Sequence, residues 1–250
     1  MKKIAYLSLL FLGFSVYTFG QFNLGNAVKG VTKNVDSLKG NKGGGAGLSK
    51  EDIANGLKEA LKVGSNNAGG NASKVDGFFK DSLIKIPFPP DAQKVQKTAV
   101  DMGQQKQVDD FVLSLNRAAE QAAVKAAPIF LDAITSMTID DGLTILQGAN
   151  DAATQYMKNK TSQQLHDVFL PIVKTAIESV NVTKYWTPLI TSYNSVPFVK
   201  KLNPDLNEYV TQQALKGLFV LLAQEELKIR KNPAARVSDI LKKVFGSLDK

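Results

Sequence analysis

Apolar residues recur at three- and four-residue spacing through most of the chain beyond Leu48, and that spacing predicts helices. Ser49, an N-cap with Asp52 three residues on, opens a helix bearing Ile53, Leu57, Ala60 and Leu61 on one face; "NNAGGNAS" (66–73) is expected to interrupt it. "KVDGFFKDSL" reads as a short helical turn, and Asp91 heads a helix that Gly103 closes. The longest apolar stripe spans 105–137, through Val108, Phe111, Val112, Leu115, Ala119, Ala122, Ala126, Ile129, Ala133, Ile134 and Met137, and Pro128 should kink or split it. Thr138 with Asp141, and Thr161 with Gln164, form two further capping boxes, with the short helix "NDAATQYMKNK" between them. Thr183 opens a helix that Pro197 stops. Asn203-Pro204 then heads a helix of about seven turns at 3.6 residues each. Its "LFVLLA" (218–223) is apolar on every side, as at the centre of a bundle. Asn232-Pro233 repeats the cap before a last helix ending at Gly246.

One stretch departs from this period. In "IKIPFPPDA" (84–92), Ile84, Ile86 and Phe88 alternate with other residues, and Pro87, Pro89 and Pro90 stiffen the backbone. "NSVPFVKKLNPDL" (194–206) shares its Pro-Phe dipeptide and also leads to a proline-marked helix start. The fold class expected is all-α: a single-domain irregular helical bundle with, at most, one short two-stranded extended arm made by these two segments. The 84–92 stretch reads first as a strut between helices and second as an apolar arm that grips a ligand.

The first residues change where such a bundle is expected to reside. A basic start (Lys2, Lys3), an apolar run and small residues at Thr18 and Gly20 form the pattern of a signal peptide over 1–20, cut near Gly20. Residues 21–47, ending in "KGNKGGGAG", read as a flexible Gly-rich leader, and 48–250 as the helical domain. Without cysteine the chain cannot be a lipoprotein or carry disulfides. The expectation is an exported protein, periplasmic or extracellular, that is not integral to the membrane once the signal is removed. Loss of Lys2 and Lys3 takes the formal charge from +8 to +6. For an exported chain the acidic neighbours are lipid headgroups, glycans or proteins, so an envelope lipid or protein partner is expected and nucleic acid is not.

The blocks "KVDGFFKDSLIKIPFPPDAQKV", "FVLSLNRAAEQAA", "NPDLNEYVTQQALKGLFVLLAQEE" and "RKNPAARVSDILKKVFG" resemble those of a bacterial family known as domain of unknown function 4197. The resemblance spans roughly Leu48 to Gly246. It implies a bacterial, exported, helical protein and brings no activity, cofactor or catalytic residue with it.

Catalytic sets are scarce. With one histidine (His166) and no cysteine, Cys/His zinc sites are excluded, and no metal or cofactor is expected. No serine lies in a Gly-x-Ser-x-Gly turn. The adjacent acid pairs Asp109-Asp110, Asp140-Asp141 and Glu225-Glu226 diverge by about 100° on a helix. In "SLNRAAEQ", Asn116, Arg117 and Glu120 share a helix face beside small alanines; they read either as a register-fixing hydrogen-bond network or, with Phe78, Phe79 and Phe88, as a ligand site. Glu225, Glu226, Arg230 and Arg236 read as a structural clamp at a helical corner, with Arg236 folding back onto Glu225. The favoured function is a non-catalytic binding module for an apolar or anionic envelope ligand or a protein partner. The alternatives are a hydrolase using carboxylates alone, such as Glu120 with Asp109, and a purely structural envelope protein.

Overall fold

A computed structural model describes residues 48–179, 182–247 and 249. The expected signal peptide and glycine-rich leader lie outside the described residues. Among the latter there are nine α-helices and no strand: α1 (Lys50–Ala72), α2 (Gln93–Asp101), α3 (Gln105–Ala123), α4 (Ala126–Thr135), α5 (Ile139–Gln147), α6 (Ala152–Ser179), α7 (Val182–Asn194), α8 (Leu206–Lys231) and α9 (Asp239–Gly246). The all-α expectation therefore holds.

The helix predicted to be central is central. α8 packs against α1, α3, α6 and α9, burying Val210, Ala214, Leu218, Phe219, Leu221 and Leu222. α1 forms the second axis, in contact with α4, α5, α8 and α9. Two capping boxes form as read: Ser49 with Asp52 opens α1, and Thr138 with Asp141 opens α5. Gly103 takes a left-handed φ of 80° just after α2.

Four expectations about the helices need correction. α1 continues through 66–72 because its small residues let neighbours close in: Ala68 and Ala72 are fully buried, and Gly64 lies against Glu225 and Leu222 of α8. Packing there outweighs the roughly 1 kcal/mol that each glycine costs a helix. The 105–137 stripe breaks at Val124–Lys125, not at Pro128, which occupies the third position of α4, where a backbone N–H has no helical acceptor. Thr161 is no cap. α6 is one 28-residue helix whose Met157, Thr161, Leu165, Phe169 and Val173 form a buried stripe, and the Thr161 hydroxyl donates back to the Met157 carbonyl at 2.7 Å. The cap of α8 also falls later than Asn203-Pro204, with Asp205 accepting from the Asn207 N–H.

The two-stranded arm does not form. In 84–92 the predicted alternation is kept, with Ile84, Ile86 and Phe88 buried and Lys85 and Pro87 exposed, but its partner is a side chain. The Ile86 N–H donates to Asn116 Oδ1 and the Ile86 carbonyl accepts from Asn116 Nδ2, both at 2.8 Å. Asn194 does the same for the second segment: the Leu202 N–H donates to its Oδ1 at 2.7 Å, and its Nδ2 donates to the Leu202 carbonyl at 2.8 Å. An asparagine amide thus supplies the donor–acceptor pair a neighbouring strand would present.

Candidate functional site

The arm is held at three levels. At its start, the Phe78 and Phe79 N–H groups donate to Glu120 Oε1 at 3.1 and 3.3 Å. Arg117 bridges Glu120 Oε2 and Asp76 Oδ1, each at 2.6 Å, and its guanidinium is held above its ordinary pKa, chiefly by Glu120. Asp76 has a positive φ of 68°, and its carboxyl is lowered by Lys80 and Arg117. At mid-arm Asn116 pairs Ile86, its second amide hydrogen going to the Val112 carbonyl at 2.8 Å. At the far end Phe88 packs with Phe111 (4.9 Å between centroids) and with Trp186 (5.6 Å), while the Tyr209 hydroxyl donates to the Pro87 carbonyl at 3.0 Å. Burial pushes the Tyr209 phenol up to about 12. Gly217 of α8 admits the arm: a Cβ there would lie 2.6 Å from Phe78 Cε1 and 3.0 Å from Ile84 Cβ.

The six residues singled out as ligand contacts therefore divide. Asn116, Glu120 and Phe78 are buried and committed to internal partners; Arg117 is partly buried in the same network. Phe88 is also buried, against Phe111 and Trp186, but with the partly buried Phe79 it contributes to the lining of an open groove of about 440 Å³ with Lys85, Pro87, Gln96, Val108, Asp109 and Val112. The Lys85 ammonium stands 4.4 Å over the Phe79 ring. A second groove, of about 330 Å³, has Trp186 and Tyr209 in its walls and carries Asp91, Asp205 and Glu208, so its character is acidic.

The carboxylate pairing of Glu120 with Asp109 does not occur. The two lie eleven positions apart on α3, about 16 Å along an axis rising 1.5 Å per residue. Glu120 is buried under the arm, whereas Asp109 is exposed and accepts from Gln105 at 2.8 Å.

The second polar cluster is a clamp, with partners the sequence did not indicate. Glu226 accepts from the Ala153 and Thr154 N–H groups at 3.0 and 2.8 Å and from the Thr154 hydroxyl at 2.8 Å. From α8 it thus performs the N-cap role for α6. Arg230, paired to Glu226 at 2.9 Å, donates to the Ile145 carbonyl at 2.8 Å, in the last turn of α5. One ion pair therefore meets the positive end of one helix and the negative end of another. Arg236 does not reach Glu225. It donates to the Ile229 and Arg230 carbonyls at the end of α8, at 3.0 and 3.1 Å, and pairs with Asp249. Glu225 takes Asn67 at 2.8 Å and Lys228 at 2.5 Å.

His166 joins α6 to α8 by a 3.0 Å contact from Nε2 to Glu208. Glu208 raises the His166 pKa from its usual 6.5; Gln212 and His166 lower that of Glu208 from 4.5. The histidine contribution is full below 6.5 and is lost as pH rises through its raised folded value; the Glu208 contribution is lost as pH falls below 4.5. Urea titrations of wild type and His166→Gln should differ by up to about 1 kcal/mol between those limits and converge once pH has risen past the raised histidine value. A difference that persists at high pH would rule out the charged pair.

The described residues thus define an all-α bundle with a clamped, proline-stiffened arm beside an amphipathic groove. The chain belongs to a protein family of unknown function, DUF4197, whose family model matches residues 47–246. No curated protein and no solved structure matches it. Among the described residues no helix is long and apolar enough to cross a membrane, and no group of three or more His, Cys, Asp or Glu side chains is placed to hold a metal ion.

Proposed function

We propose that this protein is a non-catalytic binding module of the cell envelope whose arm groove takes an apolar chain ending in an anionic group. The observation that carries this reading is the division of labour around the arm. The backbone groups of Ile86 and the N–H groups of Phe78 and Phe79 are satisfied from within by Asn116 and Glu120, which leaves Phe79, Pro87, Phe88, Val108 and Val112 as an apolar wall with Lys85 beside it. A volume of about 440 Å³ lies within the range of small-molecule sites. The wall offers area to an alkyl chain and Lys85 a charge-assisted donor to its head.

Native mass spectrometry of the full chain mixed with dodecanoate tests this. A one-to-one adduct is expected with the wild type, weakened about tenfold or more by Lys85→Glu and by Val112→Asp, since each places a charge against the corresponding part of the ligand. No adduct with the wild type, or equal adducts with all three proteins, would overturn the reading in favour of a purely structural role.

A further inference from the structure

We propose that the loop 195–201, between α7 and α8, is a wedge that enters the surface of an anionic lipid bilayer. Phe198 stands at its tip with a φ of 65°, a left-handed conformation that a bulky residue rarely adopts, and its relative exposure is 107%. Beside it Val196 is 51% exposed, and Pro197 is also exposed. The loop is not left loose: the Asn194 amide bridges to both backbone groups of Leu202, pinning its two ends together. A chain gains nothing by holding a fully exposed aromatic ring in water on a strained backbone. An apolar surface that receives the ring supplies the missing gain.

The charges next to the tip identify that surface. Lys200 and Lys201 follow one residue later, after Val199, and are exposed. Lys200 reaches only Asp91, at 3.7 Å with both side chains largely in solvent, and Lys201 forms no ion pair among the described residues. An apolar tip with two lysines at its base matches the layering of an anionic bilayer: the ring passes the headgroups, while the long lysine stems keep their ammonium groups at the phosphates. Each lysine held near such a surface strengthens binding about fivefold. With the expected signal removed, the chain's formal charge of +6 acts in the same direction. This inference does not depend on the arm groove.

The test uses the full chain carrying Phe198→Trp, mixed with vesicles of phosphatidylcholine alone or of phosphatidylcholine with phosphatidylglycerol, with and without brominated acyl chains. Trp186 is buried and gives the wild-type baseline. With anionic vesicles the added emission should shift to the blue and be quenched by bromine; high salt should reverse both effects. Lys200→Ala with Lys201→Ala should weaken binding about 25-fold. Phe198→Gly should lose insertion while keeping or raising the melting temperature, because glycine accepts that φ without strain. A chain that fails to bind anionic vesicles would overturn the proposal. So would one that binds them while the emission at position 198 stays unshifted and unquenched, which would assign the loop to a protein partner.

Discussion

Replacing Glu226 with alanine is expected to cost the folded state about 3–5 kcal/mol, the range for breaking a buried ion pair from one side. The variant strands the Arg230 guanidinium in the interior and leaves the Ala153 and Thr154 N–H groups without their acceptor. Denaturant midpoints give the readout. Glu226→Gln should fall in between, since an amide oxygen still accepts from an N–H but leaves the arginine charge unmatched. Replacing both partners, by Glu226→Gln with Arg230→Met, should recover much of the loss, because the largest part of it is an uncompensated charge. A loss below about 1 kcal/mol for Glu226→Ala would mean that water reaches the pair and that it behaves as a surface bridge.

Asn116→Ala comes next, at about 2–4 kcal/mol, since it orphans a buried N–H and a buried carbonyl of Ile86 and leaves a void. Asn116→Asp discriminates the mechanism. Its carboxylate keeps the acceptor for the Ile86 N–H but opposes the Ile86 and Val112 carbonyls, to which the native amide donates. The buried acid should therefore take up a proton more readily in the folded than in the unfolded chain. Its stability relative to wild type should rise as pH falls toward about 4, where the protonated acid can donate again. A pH-independent difference would show that the amide does not make those bonds. In either variant the loosened arm should lose dodecanoate, with Phe79 and Phe88 no longer held in place.

What could be read from the sequence was whatever acts over a few residues. Ser49 with Asp52, Thr138 with Asp141 and the apolar girth of 218–223 work locally, and each signal was realised. The in-and-out alternation of Ile84, Ile86 and Phe88 was equally plain. The failures are places where a distant element decides. Gly69 and Gly70 look like a break until Ala68, Gly69 and Ala72 around them are seen to be buried, and Thr161 looks like a cap until the stripe from Met157 to Val173 is buried. The site was legible to the same depth. Spacing grouped Asn116, Arg117 and Glu120 on one face and paired Glu226 with Arg230. It held no sign that the first group would grip Ile86, Phe78 and Asp76, or that the second would close the ends of α5 and α6, because those contacts span about 30 to 85 positions. Phe198 drew notice only as half of a Pro-Phe dipeptide in an expected strand pair; its role at the loop tip rests on its backbone conformation and exposure, which the sequence does not carry.

The closeness of α1 to the end of the chain bears on the order of folding. Val244 of α9 sits on Gly56, Lys243 reaches Asp52 at 3.2 Å, and Asn67 bonds Glu225. A polypeptide delivered amino end first presents α1 long before α8 and α9 arrive to cover it. α4 and α5 can cover part of α1 as they follow it, but the faces that meet α8 and α9 are completed only when the last third of the chain joins them.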